Sequence, residues 1–328
     1  MMEQGMEEEI TIDKLKTYFR TKAGYVRAVD DFSMSVKKGQ IMGLAGESGS
    51  GKSTVVTTIF RVLPINGEVK GGKITFEEKD ILSMDEKKFK EEIRWKKISW
   101  IPQVSMDSLD PLYTVKNQMM ETILTHEDVS KAEAAERSYQ ALESVKLNPE
   151  IAEKYPHELS GGQKQRVIIA MALLLNPRLV IADEPTTALD VVTQASIVDL
   201  LTRKKKEMGF SMIFVTHDLS LLATMADAVT VMYAGQLAET GTAETLFKSP
   251  EHPYTKLLLK SIPDIRKWKE RKLYSIPGEP PNLENPPSGC RFRTRCPFAM
   301  EICKDKVPEP VTLKGGHVVA CHLVGDKK

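Results

Sequence analysis

No imbalance of charge marks this chain: Lys and Arg number 46 against 45 Asp and Glu, a formal net charge of +1 at pH 7. Nothing in that balance speaks for a polyanionic partner such as nucleic acid. Long apolar runs are missing as well. The longest, Val167–Leu175 and Leu179–Ala182, are separated by Asn176-Pro177-Arg178 and fall well short of the ~18 residues that a membrane span needs. A soluble chain is therefore expected, one that can still dock onto a membrane protein. Residues 1–9, MMEQGMEEE, carry neither a basic n-region nor an apolar h-region, so no secretory signal and a cytoplasmic location are expected. Cysteine is absent before Cys290; in that compartment, thiols point to metal rather than to disulfides. The length of 328 residues suggests about two domains. The basic run Arg203–Lys206 reads as a solvated helix face.

What is present centres on Ile41–Ser53, IMGLAGESGSGKS, where an apolar run meets a phosphate-binding loop. It fits G-x-x-x-x-G-K-[ST], with Gly46, Gly51, Lys52 and Ser53 at the fixed positions. Glycines let the backbone turn tightly enough to aim successive N–H groups at one anion, and a helix opening at Ser53 adds its positive end. Lys52 would reach the β and γ phosphates, and the Ser53 hydroxyl would ligate Mg2+. The bland alternative is a glycine-rich strand-to-helix turn that binds nothing. It is countered by context: IMGLA reads as a buried strand and STVVTTIF continues in helical periodicity.

Around this loop, residues 10–40 alternate in short runs that predict antiparallel strands, and KITFEEKDI after Gly71-Gly72 completes a small sheet. Tyr25 is either a base-stacking aromatic or plain sheet packing. Residues 84–96 are charged and helical; KISWIPQ is a short buried strand that leaves Gln103 on a loop. Val115–Glu158 reads as helical, clearest over Ala132–Val145. HELSGGQKQRV opens a helix at Ser160-Gly161-Gly162-Gln163, an anion site by geometry. LVIADEP is an apolar strand ending in Asp183 and Glu184, the placement expected for Mg2+ and a general base. MIFVTHDL repeats that design with His217 and Asp218. Strands near Val229–Met232 and Gln236–Thr240 and a helix over Ala243–Phe247 close the domain, and prolines between Pro263 and Pro287 read as an extended linker.

With GESGSGKS, Gln103, LSGGQ at 159–163, LVIADEP, Ala188-Leu189-Asp190 and His217 in this order, the chain up to Pro250 or so resembles the ATPase subunit of an ABC transporter. HPYT at 252–255, PGEPP and SGCRFRTRCPFAMEIC resemble the oligopeptide and dipeptide importer branch, so the resemblance spans nearly the whole chain. It implies an α/β fold: a P-loop ABC ATPase with a mixed RecA-like core, an antiparallel β subdomain and a helical subdomain (about 115–178). The ATPase domain would take residues 1–262, a proline-rich linker 263–287, and a small C-terminal four-cysteine metal module 288–328.

By the same resemblance ATP binds Gly46, Glu47, Ser48, Gly49, Ser50, Gly51, Lys52, Ser53 and Thr54; Tyr25 stays open between the base and sheet packing. Ser53, Gln103 and Asp183 serve Mg2+. Glu184 orients or deprotonates the attacking water, and His217 contacts the γ-phosphate. Ser160, Gly161, Gly162 and Gln163 act in trans, and Asp190 lies at the dimer junction. The implied partners are a second ATPase subunit (the pair a homo- or heterodimer), two membrane permease subunits and an external substrate-binding protein. The subunit would then sit peripherally on the cytoplasmic face of the membrane. Similar systems carry nickel or oligosaccharides, which stand as alternative cargoes. The rival class, ABC-type ATPases acting on nucleic acid, carries long coiled coils, a second cassette or strongly basic surfaces, none of which is seen here.

Cys290, Cys296, Cys303 and Cys321 stand with five, six and seventeen residues between neighbours. Such clustering favours a four-thiolate metal site. The C-x-x-C pairs usual for zinc are lacking, and the spacing is not that of a ferredoxin. The family resemblance implies a 4Fe-4S cluster; zinc and unligated buried thiols stay open, as does a redox-sensing role. Arg291, Arg293 and Arg295 either offset thiolate charge or lie in solvent.

Overall fold

The computed structural model describes residues 7–103, 108–187, 189–261 and 275–325. The expected linker thus lies partly outside the described residues, as does Ala188. Two compact units emerge. One, the phosphate-loop unit, gathers Ile10–Val36, Gln40–Leu82 and the chain from Val215 onward; the other, the helical unit, gathers Ser83–Phe214 with Lys37–Gly39 and the residues up to Glu9.

The phosphate-loop unit begins with the expected alternation. Strands β1 (Glu8–Arg20), β2 (Tyr25–Lys37), β4 (Gly67–Phe76) and β5 (Lys79–Asp80) form a sheet in the order β2-β1-β4-β5, antiparallel between β1 and β4 and between β4 and β5. Ile10, Ile12, Leu15 and Thr17 are buried along β1. The inward face changes phase at a register shift between Asp13 and Lys16, because Lys14 takes a left-handed φ of 45°. Opposite this bulge Gly72 has φ +90°, and a Cβ there would lie 2.5 Å from Leu15 Cα. The strand therefore runs through Gly71-Gly72 rather than starting after them. Strand β3 (Ile41–Ala45), every residue buried, leads into α1 (Lys52–Ile59).

The helical unit holds α2 (Glu86–Glu92), β6 (Ile98–Ile101), α3 (Val115–His126), α4 (Lys131–Ser144), α5 (Gly161–Leu173), β7 (Leu179–Asp183), α6 (Val191–Met208) and β8 (Ser211–Val215). Its helices start where side chains cap them: Thr114 Oγ1 accepts from Asn117 N–H, Ser130 Oγ from Glu133 N–H, and Asp190 Oδ1 from Val192 and Thr193 N–H, each satisfying a donor the helix cannot. Gly209, left-handed at φ 76°, ends α6. On α6 the Lys204 of the basic run is buried, its Nζ 2.8 Å from Glu207 Oε2, so that run is not wholly solvated. β6 and β7 pair in parallel with Ile98 opposite Leu179, and β8 lies beside β7. All of β7 and β8 is buried, the continuous apolar reading of strands covered on both faces.

Back in the phosphate-loop unit, α7 (Leu219–Met225) precedes β9 (Ala228–Tyr233), which pairs in parallel with β3 and antiparallel with β10 (Gln236–Thr242). Helices α8 (Ala243–Lys248) and α9 (Pro253–Lys260) follow. His252 caps α9: its Nδ1 accepts from Tyr254 N–H at 3.0 Å, and Pro253 opens the helix. Burial lowers the His252 pKa to about 4, which keeps the ring neutral as an acceptor must be.

The tail contributes α10 (Ile302–Asp305), β11 (Val311–Thr312), β12 (Val318–Val319) and α11 (His322–Gly325). It belongs to the phosphate-loop unit. β12 pairs antiparallel with β10, Glu239 opposite Val319. The fully buried Glu239 carboxylate accepts from Glu251 N–H (2.6 Å), His252 N–H (3.1 Å) and His317 Nε2 (2.7 Å). No described helix is long and apolar enough to cross a membrane.

Candidate functional site

Two glycines shape the phosphate loop. At Gly46 (φ +151°) a Cβ would lie 2.2 Å from Met232 O, and at Gly51 (φ +105°) one would lie 2.2 Å from Ala28 O. No side chain can enter either position without moving backbone. Within the loop Lys52 is buried, and its Nζ donates to Gly46 O (2.8 Å), Glu47 O (2.9 Å) and Ser50 Oγ (3.4 Å). The ammonium therefore sits in the hollow of the loop. Ser48, Gly49 and Ser53 are exposed on its rim, with Thr54 half-buried. Helix α1 has no side-chain cap and no acid in its first turn, so its N-terminus is suited to an external anion.

Two further predicted residues belong to this unit. His217 is exposed after β8, and the N–H of neighbouring Thr216 donates to Leu44 O at 3.3 Å, tying that turn to the end of β3. Tyr25 opens β2, half-buried, with Lys70 Nζ 4.5 Å from its ring centroid and 3.2 Å from its hydroxyl.

The helical unit carries the acids and the signature turn. β7 delivers Asp183, 2% exposed, to its C-terminal end. Glu184 follows with a left-handed φ of 45°, a strained conformation for a residue other than glycine. Its Oε2 accepts from Gln103 Nε2 (2.9 Å) and Thr187 Oγ1 (3.0 Å). Thus Gln103 and Glu184, predicted from stretches far apart in sequence, are in contact. At the signature, Ser160 and Gln163 form a capping box: Ser160 N–H donates to Gln163 Oε1 (2.9 Å) and Gln163 N–H to Ser160 Oγ (3.4 Å). Ser160 is exposed, and Gly161 and Gly162 leave the turn half-buried. A Cβ on Gly162 would meet Thr193 Cγ2 at 3.2 Å, so the signature turn lies against the start of α6, where Asp190 is exposed. The Thr193 hydroxyl and the backbone N–H groups there hold the Asp190 carboxyl below its usual pKa.

The four cysteines border a single pocket, together with His252, Phe292 and Phe298. Burial raises the Cys290 thiol to about 11 and pushes Cys296 and Cys321 up as well. As free thiols these would be protonated and inert; a bound metal ion would reverse that. Among the described residues no three His, Cys, Asp or Glu side chains gather closely enough to hold one metal ion. Two of the tail arginines behave differently from either expectation. Arg291 is buried against Asp30 and Ala234 O, and Arg295 against Glu47. Composition gave no sign of these pairs, whose partners lie 261 and 248 residues away. Thr187 and Tyr254 were also not expected at the site; the Tyr254 hydroxyl accepts from Glu47 N–H at 2.9 Å.

Comparison with known proteins agrees with this geometry. Residues 29–187 match the family model described as ABC transporter, and residues 238–303 match the model for the C-terminal region of oligopeptide/dipeptide transporters. The chain is 43% identical to the dipeptide transport ATP-binding protein DppD of Caldanaerobacter subterraneus subsp. tengcongensis, over 96% of each chain. It is 44% identical to the oligopeptide transport ATP-binding protein OppD of Escherichia coli, over 94% of this chain and 91% of that one. Among solved structures, the dimeric ATP-binding cassette MJ0796 bound to ADP and Pi covers 71% of this chain and 98% of its own, at 27% identity and TM-score 0.64. The cbiO1 protein of Clostridium perfringens covers 74% and 92%, at 27% identity and TM-score 0.63. The fold is thus that of a P-loop ABC ATPase with mixed α/β content.

Proposed function

The chain belongs to the ABC transporter family, in its oligopeptide/dipeptide branch, and from that premise we propose that it is the ATP-hydrolysing subunit that powers import of oligopeptides or dipeptides. The observation that carries this reading is the near full-length kinship with DppD and OppD proteins, joined to a loop that buries Lys52 in its hollow. In this reading the loop backbone from Gly46 to Gly51, Lys52 and Thr54 bind the phosphates, and Tyr25 stacks on the base. Ser53, Gln103 and Asp183 hold Mg2+, their oxygens being the hard donors that cation takes. When bound, Mg2+ supplies charge neutralisation on the β and γ oxygens.

Glu184 takes the proton of the attacking water or orients it. Its carboxylate accepts from Gln103 and Thr187 through Oε2. His217 contacts the γ-phosphate. Ser160, Gly161, Gly162 and Gln163 serve the nucleotide of a partner ATPase subunit, with Asp190 at the junction. The pair works beneath two permease subunits at the cytoplasmic face of the membrane, fed by an external binding protein. ATPase assay of the assembled complex in liposomes, with and without peptide, tests the reading: peptide-stimulated hydrolysis is expected, and hydrolysis blind to peptide would contradict it.

For the tail we propose a 4Fe-4S cluster held by Cys290, Cys296, Cys303 and Cys321. Support comes from four thiols bordering one pocket. The cluster, when bound, would staple a segment that has little apolar core of its own.

A further inference from the structure

Glu47 is an awkward residue for its place, since a carboxylate in a loop built for polyphosphate repels what the loop must bind. Its carboxylate does not stand alone. Arg295 Nη1 donates to Glu47 Oε2 (2.6 Å) and Nη2 to Oε1 (3.0 Å), a bidentate fork. The other donors of the same guanidinium are also engaged. Nε donates to Pro277 O (2.9 Å), Nη2 to Ile276 O (3.4 Å) and Nη1 to the Tyr233 hydroxyl (3.3 Å). The five N–H groups of Arg295 thus meet five acceptors, which a lysine cannot do. Arg295 is buried, its side chain 4% exposed, and Glu47 is half-buried at 25%. Arg295 lies beside Cys296, and Phe292 of the thiol pocket packs on Tyr233 and Tyr254, with ring centroids 5.0 and 5.3 Å apart.

We propose that Arg295, supplied by the cysteine-bearing tail, is a positioning and charge-neutralising residue of the nucleotide site, cancelling Glu47 so that the phosphate loop accepts ATP. The inference rests on ATP binding at that loop. It makes the tail part of the nucleotide site, and the thiol pocket a place from which nucleotide affinity can be set.

The test is titration of the full chain with a fluorescent ATP analogue. Arg295→Gln leaves a bare carboxylate in the loop and should weaken binding about tenfold or more, the effect of 1.4 kcal/mol per decade. Glu47→Gln keeps the loop backbone, removes the carboxylate and leaves the Arg295 charge, so it should bind more tightly than wild type. The double variant should regain most of what Arg295→Gln loses. A pair that merely braces the loop would weaken both single variants alike, and that result, or wild-type affinity in folded Arg295→Gln, would overturn the proposal. If Arg295→Gln does not fold, Arg295→Lys carries the test. Charge kept without the fork should hold affinity within about threefold while amide exchange over residues 46–51 quickens, and unchanged exchange would count against positioning. Failure of the wild-type chain to bind the analogue would instead overturn the nucleotide reading, and this inference with it.

Discussion

Replacing Glu184 by Gln isolates chemistry from structure unusually well. Two donors to the side chain, Gln103 Nε2 and Thr187 Oγ1, reach the same oxygen, Oε2. An amide can place its carbonyl oxygen there and keep both hydrogen bonds, while its NH2 takes the place of Oε1. The left-handed backbone at φ 45° is strained for either side chain, so it adds no difference. Stability should therefore change by less than about 1 kcal/mol, the size of one net hydrogen bond, and ATP should bind as before. What is lost is the basic oxygen facing the water. General-base effects run from about 100-fold to 10,000-fold, so steady-state hydrolysis by the assembled transporter should fall at least ~100-fold, about 2.7 kcal/mol of barrier. Phosphate release measured against ATP, beside an equilibrium binding titration, separates the two. Wild-type turnover in Glu184→Gln would refute the assignment, and a parallel loss of ATP binding would refute the structural reasoning.

Other outcomes follow from the same geometry. Ser160→Arg should cost about 1 kcal/mol through the lost cap, leave monomer ATP affinity intact and abolish ATP-driven dimerisation seen by light scattering; lost monomer binding would contradict action in trans. Gly51→Ala should lower the thermal midpoint by the equivalent of about 1–3 kcal/mol and abolish ATP binding, because its Cβ would meet Ala28 O at 2.2 Å; Gly49→Ala, with nothing within 4 Å of its Cβ, should be the milder change. Anaerobically purified protein should be brown and carry about four irons per chain; one zinc and no iron would reject the cluster while keeping a metal staple, and no metal in folded, active protein would reject both.

Much of the site was legible in the sequence because each part is local. IMGLA, LVIAD and SMIFV are apolar runs that form strands wholly buried in the structure. The glycines of the phosphate loop carry the positive φ values that a tight anion loop needs. LSGGQ reads as a helix start, and its capping box is one. The missed features depend on distance. The strands β11 and β12 are two residues each and exist through the edge of β10, so no period announces them. Arg291 and Arg295 sit in a polar, proline-rich stretch that resembles solvated loop, and only tertiary contact buries them against Asp30 and Glu47. The phase change in β1 at Lys14 likewise depends on Gly72 of another strand.

The central claim, that ATP hydrolysis by this chain drives peptide import, is tested most directly by uptake of a labelled oligopeptide in cells lacking the chain. Complementation with the wild-type chain should restore uptake, and complementation with Glu184→Gln should not. Peptide uptake that is the same with the wild-type chain, with Glu184→Gln and with neither would contradict the account.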